Sequence, residues 1–154
     1  MVSLFKNPLN RRGDAAEAGV AAGEERKKRK RTVMVKELRE RDRRRMLKHF
    51  LALDSSDRLL RFGTVLPDEL VESYVAKIDF ERDMVYGVYN RVFKLVAVGH
   101  LAFAPKEKSP GKVVTTKEQV AEFGVSVSRS ARGLGIGSKL FERAAIHCRN
   151  QDVD

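Results

Sequence analysis

Tryptophan is absent and cysteine occurs once, at Cys148, so no internal disulfide can staple this chain and a small cystine-rich secreted scaffold is excluded. A reducing, cytoplasmic setting is the expectation. Long apolar runs are also missing. The longest, Leu95 to Ala104, is interrupted by Gly99 and His100 and is about half of the ~20 residues that a membrane-crossing helix needs. The opening MVSLFKNPLNRR has no apolar segment of the secretory type, and Arg11-Arg12 is followed by Gly-Asp-Ala-Ala, so neither export nor a membrane partner is expected. Acidic residues are comparatively scarce: 21 Asp and Glu stand against 31 Lys and Arg, a formal charge of +10 over 154 residues. That length suits one domain with one core, and that charge favours an anionic partner at some surface.

The positive charge is unevenly spread. Residues 1–45 carry +8 of it, and residues 8–31 combine an Ala/Gly/Glu-rich stretch with the run Glu24-Glu25-Arg26-Lys27-Lys28-Arg29-Lys30-Arg31. So little bulky apolar surface cannot offset the entropy of ordering, which makes residues 1–31 a basic tail and residues 32–154 the domain. Such a run is usually solvated. Nucleic-acid binding through it and through Arg43 to Arg45 is the less favoured alternative, since neither a DNA-binding motif nor a stacking platform accompanies it.

From Thr32 the pattern becomes that of a folded chain. Val33 and Val35 suggest a short strand and turn, after which Asp42 is placed to cap a helix that buries Met46, Leu47, Phe50, Leu51 and Leu53, with Arg43, Arg44, Arg45 and Lys48 facing water. His49 reads as a boundary residue. Asp54-Ser55-Ser56-Asp57 is a polar break, and Pro67-Asp68-Glu69 opens a second helix through Leu70, Val71, Tyr74, Val75 and Ile78. Three strands follow, Asp83–Tyr89, Phe93–Ala104 and Gln119–Ser128, the first two joined at Asn90-Arg91 and the last two by the loop Pro105–Lys112. The fold class is α+β, with a mixed, mostly antiparallel sheet flanked by helices.

The most informative stretch is the turn Arg129-Ser130-Ala131-Arg132-Gly133-Leu134-Gly135-Ile136-Gly137-Ser138, set between the strand ending at Ser128 and a helix with Ile136, Leu140, Phe141, Ala144, Ala145 and Cys148 on one face. Glycines let the backbone turn sharply and let a ligand approach its amides, and the start of a helix offers unpaired N–H groups and the positive end of its dipole. Strand, glycine turn and helix together suit a phosphate group. A nucleotide-hydrolysing P-loop is disfavoured because the order here is Gly137-Ser138-Lys139 rather than Gly-Lys-Ser. A dinucleotide fingerprint fails as well, because the glycines run G-x-G-x-G and no βαβ unit surrounds them.

Arg132-Gly133-Leu134-Gly135-Ile136-Gly137 reads R-x-x-G-x-G and resembles the acetyl-coenzyme A signature of the GCN5-related N-acetyltransferase (GNAT) superfamily. The preceding strand Ala121–Val127, the upstream order of elements and the opening Val35–Asp42 are similar as well. The resemblance covers residues 32–154 and implies a GNAT-like acyl-CoA N-acyltransferase fold that moves an acetyl group from acetyl-CoA to a primary amine in a ternary complex. It further implies that Arg132, Gly133, Leu134, Gly135, Ile136, Gly137 and Ser138 hold the pyrophosphate, that Arg132 lends charge to the phosphates or to the loop, and that Val125 and Val127 pair through their main chain with the pantetheine arm.

For the chemistry, Glu122 occupies a place where some family members carry a carboxylate that takes the amine proton, the alternative being a solvated position on a sheet edge. His100 falls opposite Gly124 if Ala104 and Val120 are near the ends of an antiparallel pair, and is either a second candidate base or a hydrogen-bonded strand histidine. His147 and Cys148 are assigned no chemistry, and no metal-ligand spacing is present. The acceptor, a small molecule or a protein lysine, is not written in the sequence. The resemblance also implies a fifth strand and a thiolate-protonating tyrosine beyond Asp154, which leads to expectations of weak turnover and of self-association through the strand Gln119–Ser128. A non-catalytic acyl-CoA sensor is the alternative function.

Overall fold

The structure, a computed structural model, describes residues 33–104 and 120–151; the basic segment 1–31 and the loop Pro105–Lys112 lie outside the described residues. Val33 and Val35 pack against the core, but pairing begins only at β1 (Lys36–Glu37), opposite Gly87 and Tyr86. The expected strand is therefore shorter and later. The chain turns away after Leu38, where the Asp42 carboxylate accepts the Arg39 N–H at 3.0 Å and the Tyr89 hydroxyl at 2.9 Å. Asp42 thus closes the short 3-10 turn Glu40–Asp42 and does not accept from the first amides of the following helix.

Three helices follow, not two. In α1 (Arg43–Leu51), Met46 and Phe50 are fully buried. The Arg43 guanidinium does not simply face water: it donates to the carbonyls of Val75, Ala76 and Ile78 and pairs with Glu40. The polar break Asp54-Ser55-Ser56-Asp57 is itself the start of a helix, α2 (Ser55–Phe62), with the Asp54 carboxylate accepting the Asp57 N–H at 2.9 Å and Gly63 ending it at φ +75°. A run of capping residues looks like a loop when the helix behind it is short and not fully buried. Arg58 binds this helix to its neighbours, donating to the carbonyls of Leu51, Leu53 and Leu66 and pairing with Asp68. The third helix, α3 (Asp68–Ala76), buries Val71 and Val75.

The strands β2 (Met84–Tyr89), β3 (Leu95–Phe103) and β4 (Ala121–Val127) complete a sheet of order β1-β2-β3-β4, and every pairing among the described strands is antiparallel. The β2–β3 connection is longer than Asn90-Arg91: the Asn90 side chain accepts the N–H groups of Val92 and Lys94, and the Asn90 N–H bonds Lys94 O. The register shifts at Val88/Tyr89, leaving Val96 as an extra residue, so Val96 and Ala97 both reach the same cluster. Helix α4 (Ile136–Asn150) lays Ile136, Leu140 and Ala144 on one face of the sheet, while α1 and α3 cover the other. With both faces covered, β3 is buried along nearly its whole length. Phe141 is exposed, touching Phe123 edge-on.

Candidate active site

The turn between β4 and α4 has the geometry its glycines suggest. Gly133 and Gly135 sit at φ +76° and +75°, the left-handed region that other residues adopt only under strain, and a Cβ on either would meet open space. Among the described residues, the six backbone N–H groups from Gly133 to Ser138 have no acceptor; the first helical bond runs from Lys139 to the Gly135 carbonyl. A sequence of unpaired amides at a helix start is a fit for an anion with several oxygens, such as a pyrophosphate.

Arg132 is placed to hold the turn. Its Nε donates to the Val127 carbonyl at 3.0 Å, and a terminal nitrogen lies 2.6 Å from Asp57 on α2. Arg129 pairs with Asp54 and reaches Asp57. The Arg132 charge is thus paired within the loop and with α2.

Among the described residues, the main chain of β4 has a strand partner on one side only. Ser128 donates to Val96 and Val120 accepts from Ala104, so even-numbered residues bond toward β3 and odd-numbered residues, Val125 and Val127 among them, direct N–H and C=O outward from the sheet. Of the outward groups the Val127 carbonyl is bonded by Arg132. A cavity of about 370 Å³ opens beside this edge, lined by Val125, Ser126, Val127, Leu60, Arg61 and Arg132, with Leu53 and Asp57 completing it.

On the face covered by α1 and α3 two polar side-chain systems run under the strand. His100 pairs in register with Gly124, and Glu122 with Ala102, as the expected antiparallel pair requires. His100 is buried, and both of its nitrogens are engaged: Nε2 lies 2.9 Å from Asp83 Oδ2 and Nδ1 lies 2.6 Å from the Tyr74 hydroxyl. Arg61 donates to that hydroxyl at 2.5 Å. Burial lowers the His100 pKa against the opposing pull of Asp83, so the ring is neutral, donating from Nε2 to the carboxylate and accepting at Nδ1 from Tyr74. Burial raises the Tyr74 phenol and outweighs the neighbouring Arg61. For Asp83 burial pulls upward, but hydrogen bonds from Arg82, His100 and the Phe103 N–H hold the carboxyl below its usual value. The result is a directed chain Arg61, Tyr74, His100, Asp83.

The second system corrects the reading of His49. It is buried rather than at a boundary, with Nδ1 3.3 Å from the Leu95 carbonyl and Nε2 2.7 Å from Ser126 Oγ. Burial is the main cause that pushes its pKa down to about 4, so Nδ1–H donates to Leu95 and Nε2 accepts from Ser126. Glu122, by contrast, is exposed, two residues along β4 from Gly124 on the same face. Gly124 is glycine for a steric reason: a Cβ there would lie 2.5 Å from Arg61 Cζ and 2.6 and 2.7 Å from its terminal nitrogens.

Arg61, Tyr74, Asp83 and the His49–Ser126 pair were not legible as a site in the sequence. The one hint was a glycine in an otherwise well-formed strand, opposite His100. Among the described residues no cluster of three metal-ligating side chains occurs, and no helix is long and apolar enough to cross a membrane.

Comparison with known proteins adds to this geometry. The GNAT domain of PAT from S. lividans is 18% identical, with a TM-score of 0.59 over 80% of this chain and 69% of that one. An acetyltransferase of the GNAT family from Staphylococcus aureus Mu50 is 15% identical, with a TM-score of 0.54 over 80% of this chain and 70% of that one. A ribosomal-protein-alanine N-acetyltransferase from Brucella melitensis biovar Abortus 2308 is 16% identical, with a TM-score of 0.53 over 80% and 77%. No curated protein matches the chain significantly. These likenesses are of fold, and they agree with the element order above. A family model described as the acetyltransferase (GNAT) family matches residues 35–154, most of the chain and all of the site just described. The chain belongs to the acetyltransferase (GNAT) family.

Proposed function

We propose that this protein transfers an acetyl group from acetyl-CoA to a primary amine, directly, with both substrates bound at the free edge of β4. The observation that carries this reading is the run of unpaired N–H groups from Gly133 to Ser138 at the start of α4, adjoining the outward-facing main chain of Val125. Acetyl-CoA supplies the activated thioester. The amides from Gly133 to Ser138 hold its pyrophosphate, as the family resemblance implies, and Arg132 acts indirectly by fixing the turn against Asp57. The Val125 main chain, with no strand partner on its outer side among the described residues, binds the pantetheine arm as an added strand.

On the amine side, Glu122 is the exposed carboxylate of β4 and takes the proton of the incoming ammonium, through water. His100 positions Tyr74 and does not contact the amine, because both nitrogens are already bonded. Most of the rate comes from holding amine and thioester together. An amine acceptor is also in keeping with the ribosomal-protein-alanine N-acetyltransferase of similar fold.

Thiol release from acetyl-CoA, measured with polyamines, amino acids, aminoglycosides and lysine peptides, tests the reading. Amine-dependent release with at least one class is expected, lowered about 100-fold or more in Glu122→Gln. Coenzyme A binding with no amine-dependent release from any class would leave a sensor instead.

A further inference from the structure

We propose that Arg61 is the receptor for a carboxylate carried by the acceptor, so that the amine substrates belong to the amino-acid class. This rests on the acetyl-transfer reading and narrows it.

Arg61 is a cation with little to do inside the protein. Among the described residues no carboxylate lies within 4 Å of it, its single hydrogen bond goes to Tyr74 Oη, and its Nε–H is buried with no acceptor at all. The rings of Phe50, Phe62 and Tyr74 surround the guanidinium at 5.6, 4.9 and 5.3 Å from their centroids. Those contacts favour a cation but bring no negative charge. A guanidinium offers five donors in a fixed fork that matches a carboxylate, and this one has no anionic partner among the described residues.

Its position is also fixed in advance. Gly124 lets the guanidinium lie flat on β4, and the chain through Tyr74 and His100 to Asp83 holds it there. The cavity that Arg61 lines also contains Val125, so a ligand bound there adjoins the strand edge at which acetyl transfer is proposed. The carboxylate that lines that cavity, Asp57, is already paired with Arg132. The exposed carboxylate of β4, Glu122, stands two residues from Gly124 on the same face, roughly 7 Å along the strand. A cation over Gly124 and a carboxylate two residues along the same face suit a zwitterion, its carboxylate on Arg61 and its ammonium toward Glu122.

The test uses the full chain with 15N-labelled arginine, saturated with coenzyme A. The Arg61 Nε–H resonance is assigned by its loss in Arg61→Lys and followed while N-acetylglycine or N-acetylglycinamide is added. A saturable shift with N-acetylglycine and none with the amide is expected. No shift with either, or equal shifts with both, would overturn the proposal. In parallel, kcat/KM is measured for α-amino acids and for their α-carboxamides. The acids are expected to be favoured about 100-fold, and Arg61→Met is expected to erase that ratio. A ratio near one in the wild type, or one that survives in Arg61→Met, would also overturn it. If no amine is acetylated, the acetyl-transfer reading fails by that result, and the resonance shift still decides whether Arg61 binds a carboxylate.

Discussion

The two faces of the sheet are built by different means. Against α4 the contact is mainly apolar, with Leu101, Ile136, Leu140 and Ala144 at its centre, and the unpaired polar groups on that side belong to the backbone of the glycine turn. Against α1 and α3 an apolar cluster around Met46, Phe50, Val71 and Val75 is crossed by two buried polar systems, Arg61–Tyr74–His100–Asp83 and His49–Ser126. One face presents unpaired main-chain groups that need no side chain. The other orders side chains through hydrogen bonds whose every partner must be present, because an unpaired polar group in a dry interior costs more than a paired one gains. The polar face should therefore be the more sensitive to single substitutions and to acid, and the apolar face sensitive to lost volume alone.

The largest effect expected is at Asp83. Asp83→Ala leaves His100 Nε2–H and the Phe103 N–H without their acceptor inside the protein, and should cost about 3–5 kcal/mol in urea unfolding. On the other face, Leu140→Ala removes a fully buried side chain and should cost about 2–5 kcal/mol by cavity formation, with no new dependence on pH. Should the Asp83 variant lose under 1 kcal/mol, the polar face would be no more demanding than an exposed surface.

The acid response sharpens the contrast. His49 titrates near 4 in the folded protein and near 6.5 unfolded, so the fold needs the neutral ring. Its contribution is complete above pH 6.5 and is lost as the pH falls from 6.5 toward 4, about 3 kcal/mol in all. His100, also lowered by burial, acts with the same sign. Asp83, held below its ordinary value, loses its contribution only as the pH falls under about 4. Unfolding free energies at pH 7 and pH 4.5 should therefore differ markedly in the wild type and less in His49→Gln; identical slopes would place the acid sensitivity elsewhere. Smallest is Ser126→Ala, which leaves His49 Nε2 without its donor and should cost about 1–3 kcal/mol.

The same contrast explains what was legible in the sequence. Apolar periodicity located β2, β3, α1, α3 and α4 to within a few residues, since each buries a stripe or face, while β-branched and aromatic residues located β4, whose Phe123 and Val127 pack on the core half-buried. It missed α2, whose residues are not fully buried and whose capping residues Asp54 and Asp57 read as a break. The glycine turn was legible because Gly133 and Gly135 meet a backbone requirement that is local in sequence. The polar systems were not, because their members are brought together only by folding: Tyr74 and His100 are 26 residues apart, and His49 and Ser126 are 77 apart. No spacing rule reaches across such distances. His49 accordingly read as a boundary residue next to Phe50, although a strand hydroxyl on β4 accounts for its burial.

Titration calorimetry of coenzyme A, with the wild type and with Gly135→Asp compared at matched folding by circular dichroism, addresses the central claim most directly. The substitution puts a carboxylate, and a side chain where φ is +75°, beside the unpaired amides. Binding by the wild type and its loss in the variant are expected. Equal affinities in the two proteins, or no binding by the wild type, would contradict the assignment of the turn from Gly133 to Ser138 as the coenzyme anchor.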